Sequence, residues 1–186
     1  MRQCMGKLEL PRVTTILAPF LDFSMVPPDV LEAAAERGTA VHEACAAYAS
    51  SLFWPCPEEL EGYFKSFVHW YDRFVVEVYA VEERVEHPKL GYCGHLDFCG
   101  LISGVRPKPV MAIVDYKSPM VESLTWHAQC AAYKEAAKEK YHVEVCGALM
   151  LRKDGSLPKM VWIDDEPRAF AAFCAALSAY NYFKGK

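Results

Sequence analysis

Gly94-His95-Leu96-Asp97 and Ile113-Val114-Asp115-Tyr116-Lys117 are the two stretches of this chain that predict its fold. Period-two alternation in the second stretch puts Asp115 and Lys117 on one face of a strand, about 7 Å apart. Buried strands do not normally carry an acid and an amine on the same face, because desolvating them is costly unless they are paired or bind a metal. Asp97 brings a second carboxylate from a neighbouring predicted strand. The pattern therefore predicts a polar site within an otherwise apolar sheet.

Two carboxylates that converge from neighbouring strands form a hard, oxygen-rich site, which suits Mg²⁺ or Mn²⁺. A lysine beside such an ion can orient or deprotonate water, or hold a phosphate. Asp97, Asp115 and Lys117 together therefore indicate metal-assisted phosphodiester cleavage. Asp115 and Lys117 also fit a simple salt bridge at a strand edge.

The predicted elements run in the order two helices, three strands, helix, strand, short strand, helix. The ranges expected from hydrophobic periodicity and breaker residues are helices at about 29–52, 58–73, 118–140 and 167–183 and strands at about 75–86, 92–102, 110–117, 143–151 and 160–163. Asp29 is expected to cap the first helix, and the third helix is expected to start directly after Lys117. Three meandering strands followed by a helical crossover predict an α/β fold, with a mixed central sheet flanked by helices.

Composition supports one globular domain. The 186 residues are 53% hydrophobic and 24% charged, which fits a folded protein. No apolar run reaches the roughly 18 residues that a membrane-spanning helix needs. Residues 1–7 lack the layout of a signal peptide. We therefore expect a single domain over residues 1–186, a cytoplasmic location and no membrane partner.

The eight cysteines include no Cys-x-x-Cys pair, and most lie in apolar surroundings. Reduced core cysteines are the expected state in a cytoplasmic protein. Zinc and iron–sulfur sites require tighter clustering, so neither cofactor is expected.

Five motifs, in their order along the chain, resemble those of the PD-(D/E)XK nuclease superfamily and, within it, those of the RecB-like and phage-exonuclease branch. They are Arg37-Gly38-Thr39-Ala40-Val41-His42-Glu43, Glu82-Glu83-Arg84-Val85, Gly94-His95-Leu96-Asp97, Asp115-Tyr116-Lys117 and Gln129-Cys130-Ala131-Ala132-Tyr133. The resemblance implies a restriction-endonuclease-like core at about 29–151. The chain departs from the family pattern in two places. Leu96 stands where the proline that gives the superfamily its name would precede Asp97, and the chain lacks the cysteine quartet of the iron–sulfur relatives.

The resemblance implies a role for each matched position. Asp97 and Asp115 correspond to the central metal ligands, with the carbonyl oxygen of Tyr116 as a third oxygen. Lys117 corresponds to the catalytic lysine. His42, on the first long helix, corresponds to the histidine that this branch adds to the metal shell, although an ordinary half-buried helix histidine is the alternative.

The remaining matched residues complete the predicted site. Glu82 is preferred to its neighbour Glu83 as a metal ligand because of the Glu-x-x-Val spacing, although a one-residue slip would exchange their faces. Gln129 and Tyr133 resemble the Gln-x-x-x-Tyr pair of the helix that follows the lysine strand, which implies that they bind substrate, unless their role is structural only. Their i, i+4 spacing places them on one helix face.

Arg37, which opens the first motif, is also expected to bind substrate. Gly38 lies one turn before His42 in a predicted helix. A glycine there costs about 1 kcal/mol relative to alanine, so a packing or functional reason is expected. His95 is assigned no role.

The expected function is therefore a Mg²⁺- or Mn²⁺-dependent nuclease, most simply a DNA exonuclease of recombination, repair or phage DNA processing. A nucleic-acid-binding module that has lost catalysis and a structure-specific endonuclease are the alternatives. Net charge is −4, which argues mildly against tight stand-alone binding of nucleic acid. A ring of copies of this chain, or a strand-annealing recombinase, is therefore an expected partner.

Overall fold

A five-stranded mixed sheet forms the centre of the computed structural model, which describes residues 9–119 and 121–184. Residues 1–7, which were considered above for a signal peptide and include Cys4, lie outside the described residues. The strands follow one another across the sheet in chain order: β1 (Val75–His87), β2 (Tyr92–Ile102), β3 (Val110–Lys117), β4 (Val145–Met150) and β5 (Lys159–Trp162).

Five α-helices surround the sheet: α1 (Val13–Leu17), α2 (Pro28–Ala49), α3 (Glu61–Phe74), α4 (Leu124–Tyr141) and α5 (Glu166–Lys184). Short 3₁₀ turns cover Ala18–Phe20 and Glu58–Leu60. Among the described residues, none of the helices combines the length and the apolar character needed to cross a bilayer.

The pairing of the strands confirms the predicted α/β fold with a mixed sheet. β1, β2 and β3 form an antiparallel meander, and β3 then pairs with β4 in parallel. A parallel pair requires a crossover, which α4 provides. β5 returns antiparallel to β4 and closes the sheet edge.

Helices cover both faces of the sheet, so the central strand is apolar on both sides. One core joins α1, α4 and α5 to residues such as Leu96 and Ile113. The other joins α2 and α3 to residues such as Phe98 and Val114. Strands buried on both faces read as almost continuous hydrophobic runs. Asp115 and Lys117 are exceptions to this apolar pattern in β3.

The predicted start of α4 and the predicted cap of α2 are wrong. α4 begins at Leu124 rather than next to Lys117, because Pro119 disfavours helical backbone at Ser118 and the side chain of Ser123 caps the first turn. α2 begins at Pro28, which suits the first helical position, so Asp29 lies in the first turn instead of capping it.

Seven cysteines lie within the described chain, and all are free. Five of them are buried: Cys45, Cys93, Cys99, Cys130 and Cys146. They occupy core positions, as the sequence predicts.

Gly62 and Gly38 offer a matched test of helix packing. A Cβ on Gly62 would lie 1.7 Å from the backbone carbonyl oxygen of Lys153, whereas a Cβ on Gly38 would meet nothing within 4 Å. We expect Gly62→Ala to lower the free energy of unfolding by about 1–3 kcal/mol. Gly38→Ala is expected to raise it by about 1 kcal/mol. Urea denaturation of both variants measures the difference, and equal shifts would contradict this packing.

Candidate metal centre

The site lies where β2 and β3 separate. Their pairing runs from Ile102 opposite Val110 to Phe98 opposite Val114, and ends there. Beyond it, side chains take over the backbone hydrogen bonds of Tyr116. Its N–H donates to Asp97 Oδ2 at 2.6 Å, and its carbonyl oxygen accepts from His42 Nε2 at 2.9 Å. Buried backbone groups must be paired, so Asp97 and His42 are held in place by the opening of the sheet itself.

Three elements bring potential metal ligands together at this opening. His42 from α2, Glu82 from β1 and Asp97 from β2 each offer one ligand atom, and these atoms all lie within 4.8 Å of one another. His42 Nδ1 is 3.3 Å from Asp97 Oδ1. All three residues were predicted as metal ligands, and the structure places them side by side.

Glu82 reaches the cluster from an unusual backbone conformation. Its φ angle is 49°, in the left-handed region that non-glycine residues rarely adopt within a strand. Such a conformation costs about 1–3 kcal/mol and is found mostly at functional sites. The neighbouring Glu83 instead contacts Lys140 Nζ and Tyr141 Oη, both at 2.7 Å. Of the two glutamates, the structure brings Glu82 to the site.

Asp115, Lys117, Gln129 and Tyr133 form one hydrogen-bonded chain beside these ligands. The Gln129 amide donates to Asp115 Oδ1 at 2.9 Å and to Tyr133 Oη at 3.0 Å, and its oxygen accepts from Lys117 Nζ at 3.1 Å. Gln129 and Tyr133 thus share a face of α4, as their spacing predicts. Their contacts orient Asp115 and Lys117 from the helix side.

One oxygen of Asp115 has a single close partner within the described residues. Lys117 Nζ lies 2.5 Å from Asp115 Oδ2 in a buried ion pair, and no other group donates a hydrogen bond to that oxygen. Asp115 is only 2% exposed. The ammonium group balances the charge of this oxygen, and its remaining lone pair could serve a cation at the cluster. With an imidazole, carboxylates and the Tyr116 carbonyl nearby, the donor set fits Mg²⁺ or Mn²⁺.

Charge pairing sets the protonation of His42 and Asp97. Burial opposes the charged imidazole, but the adjacent Asp97 carboxylate outweighs it and raises the pKa of His42 to about 9. Burial likewise favours neutral Asp97, yet His42 holds the pKa of that carboxyl below its usual value. Without a metal, the two therefore form an ion pair at neutral pH, and a cation that uses His42 as a ligand would have to displace a proton from the imidazole.

The second pair consists of Asp115 and Lys117, and burial opposes the charged form of both groups. Burial raises the pKa of Asp115 despite Lys117, and the nearby Asp97 carboxylate adds to that rise. Burial also works against a charged Lys117, but the Asp115 carboxylate keeps the pKa of Lys117 above its usual value. Two neighbouring carboxylates with pKa values shifted in opposite directions are typical of functional sites.

A cavity of about 610 Å³ opens onto this cluster. Its lining includes all the predicted metal ligands that act through a side chain, the predicted catalytic lysine, and the two predicted substrate-binding residues of α4. These residues are His42, Glu82, Asp97, Asp115, Lys117, Gln129 and Tyr133. The side chain of Tyr116 points away, into the core beneath α2 and α3. Only its backbone belongs to the site.

Arg37 is not brought to the site. It lines neither this cavity nor the larger one beside it, and its Nε atom is buried without a partner in the described chain. Arg37 precedes His42 by five positions, which turns it about 140° around the helix. Its predicted contact with substrate therefore gains no support from this geometry.

Sequence reasoning missed several residues of the site. His95 Nε2 lies 3.3 Å from Glu82 Oε2, and the Trp126 ring centre lies 5.8 Å from Lys117 Nζ. Trp126 precedes Gln129 by three positions, a spacing that could have placed both on one helix face. Arg12 lines the smaller cavity without an ion-pair partner among residues 9–119 and 121–184. Nothing in its sequence neighbourhood signals that position.

No model of a known protein family matches this chain, and no curated protein matches it. The resemblance to PD-(D/E)XK nucleases thus stays a prediction from the five motifs.

Gly94 allows the Tyr133 ring to reach the site. A Cβ on Gly94 would lie 2.5 Å from Tyr133 Cε1. We expect Gly94→Ala to lower the free energy of unfolding by about 1–3 kcal/mol. In a Tyr133→Leu background the same substitution should cost less, because the ring that it meets is gone. Denaturant titrations of the four proteins give this coupling, and strictly additive losses would contradict the contact.

Proposed function

We propose that this protein is a metal-dependent nuclease that hydrolyses phosphodiester bonds. The observation that carries the proposal is the position of three candidate ligand atoms within 4.8 Å of one another, in a cavity that also holds the buried Asp115 and Lys117. Acids, an imidazole and a lysine at one opening of a sheet suit metal-assisted hydrolysis. A purely structural salt bridge accounts for Asp115 and Lys117, but it does not account for the approach of Glu82 to the His42–Asp97 pair.

His42, Glu82 and Asp97 would hold the cation, with Asp115 Oδ2 and the Tyr116 carbonyl as further oxygens. A bound Mg²⁺ or Mn²⁺ supplies Lewis acidity for the phosphate and a more acidic water. The imidazole is the only nitrogen donor among these groups, which favours Mn²⁺ over Mg²⁺.

Lys117 acts in this proposal as a fixed positive charge. Its ammonium group is held by Asp115 and Gln129 and lies near the face of Trp126. Because its pKa is raised, the amine carries its proton at neutral pH. It is therefore suited to orient water or to balance charge on a phosphate, and poorly suited to remove a proton.

DNA is the substrate that the motif resemblance implies, with digestion from an end as the mode. The free cysteines fit a reducing compartment, so we infer that the protein works in the cytoplasm. With a net charge of −4, its hold on nucleic acid should weaken readily as salt rises. A ring of copies or a strand-annealing recombinase would keep it on its substrate.

End-labelled linear DNA, incubated with Mg²⁺, Mn²⁺ or EDTA, tests the proposal. We expect cleavage with either metal and none with EDTA. Asp97→Asn, Asp115→Asn and Lys117→Met should each lower cleavage by about 10²-fold or more, because each removes a charge that acts on the reacting phosphate or its metal. Near-normal cleavage by any of the three would remove that residue from the proposed mechanism.

Glu82 and Glu83 provide a matched control within this assay. Glu82→Gln should reduce cleavage at least about tenfold, as expected for a metal ligand. Glu83→Gln should cleave like the wild type, because Glu83 contacts Lys140 and Tyr141 instead of the cluster. The reverse order of effects would assign the site to Glu83.

A further inference from the structure

His95 is the one exposed residue of β2, in which every other position is buried or half-buried. Its side chain is 56% exposed and lines the cavity that opens onto the metal centre. A side chain with so much exposed surface contributes little to stability by burial. Its polar contact with a neighbouring strand is therefore the property that can give it a role.

The polar contact of His95 is with Glu82. His95 Nε2 lies 3.3 Å from Glu82 Oε2. The pairing of β1 with β2 sets this contact, because it places His95 opposite Arg84, two residues along β1 from Glu82. Diagonal neighbours on an antiparallel pair of strands are within reach of long side chains. The register of the two strands therefore brings the imidazole to the Glu82 carboxylate.

Arg84 is the other basic residue in this part of the two strands, but it contacts a different acid. Its Nε donates a hydrogen bond to Glu86 Oε1 at 3.0 Å, and its Nη2 lies 3.0 Å from the same oxygen. Within residues 9–119 and 121–184, His95 is therefore the one basic side chain in ion-pair contact with Glu82.

The other two candidate ligands are held by the backbone of Tyr116. Its N–H donates to Asp97, and its carbonyl oxygen accepts from His42. Glu82 has instead a left-handed backbone conformation and a side chain that is 38% exposed. A glutamate side chain loses much conformational freedom when it is fixed as a ligand. A contact that fixes it before the cation arrives therefore favours cation binding.

Charge repulsion makes such a contact more important. The ligand atom of Glu82 lies within 4.8 Å of the ligand atom of Asp97. Two carboxylates at this distance repel each other, and the more exposed Glu82 is the one that is free to rotate toward solvent. A proton on His95 Nε2 opposes that rotation, because it attracts the Glu82 carboxylate from the neighbouring strand.

We propose that His95 is a positioning residue of the metal centre, which holds the Glu82 carboxylate beside His42 and Asp97. His95 is not one of the three residues whose ligand atoms come together, so it acts through Glu82 and not on the cation. That a cation binds there at all rests on the proposed function. The contact between His95 and Glu82 rests on the strand register.

Binding of Mn²⁺ to the intact chain, followed by electron paramagnetic resonance of the free ion, tests this role. Asp97→Asn identifies the signal of the cluster, because that variant keeps only the surface sites. We expect His95→Ala to weaken Mn²⁺ binding at the cluster about tenfold, as the loss of a group that orients a ligand does. His95→Gln should restore most of the affinity, because its amide can still donate to Glu82.

His127→Ala is the matched control, since it removes a similar contact elsewhere. His127 Nε2 lies 3.4 Å from Glu122 Oε1, and neither residue lines the cavities at the cluster. This variant should bind Mn²⁺ like the wild type. In EDTA, His95→Ala should melt like the wild type, because an exposed side chain is removed. A fall in its melting temperature without rescue of Mn²⁺ binding by His95→Gln would assign His95 a structural role and overturn the inference.

Glu82→Gln separates positioning from a direct effect of His95 on the cation. In that background the ligand that His95 holds is already lost, so adding His95→Ala should weaken Mn²⁺ binding no further. A further loss of the same size would overturn the inference. Wild-type affinity in His95→Ala would also overturn it, while the loss of binding in Asp97→Asn kept the proposed function. Equal Mn²⁺ binding by Asp97→Asn and the wild type would instead reject the cation site, and the role of His95 with it.

Discussion

The hydrogen bond from the Tyr116 N–H to Asp97 Oδ2, at 2.6 Å, is the interaction on which the site depends. It forms where β2 and β3 stop pairing, so a carboxylate replaces a strand as the partner of the backbone. His42 does the same for the Tyr116 carbonyl at 2.9 Å. Both side chains are held because the backbone groups of a buried strand cannot be left unpaired. The opening in the sheet and the cluster that fills it are therefore one structural feature.

Charge balance around this opening explains why the site tolerates burial. His42 is paired with Asp97, and Lys117 lies against Asp115, so each buried acid has a cationic neighbour. The match is incomplete, because Glu82 adds a third carboxylate from a left-handed backbone position. The third carboxylate and the strained backbone at Glu82 are the features that the proposed cation site would account for.

The sequence alone predicts the strands of the sheet and most residues of the cluster. β2 and β3 have the predicted bounds, because Gly91 and the proline-rich 103–109 segment end their apolar patterns sharply. Alternation alone puts Asp115 and Lys117 on one face. The predicted start of α4 next to Lys117 was wrong because Pro119 disfavours helical backbone at Ser118, and Ser123 caps the first turn instead. The contact of His95 with Glu82 depends on the register between β1 and β2, which the sequence does not specify. Helix spacing alone places Arg37 about 140° from His42, so that prediction could have been rejected from the sequence.

The central claim is that His42, Glu82 and Asp97 hold a divalent cation, and anomalous diffraction from crystals soaked in Mn²⁺ tests it most directly. We predict a manganese peak among these three side chains, about 2.0–2.4 Å from their ligand atoms, which is absent from crystals of Asp97→Asn soaked in the same way. Manganese bound only at surface carboxylates, with the three side chains unchanged and no peak between them, would contradict the account.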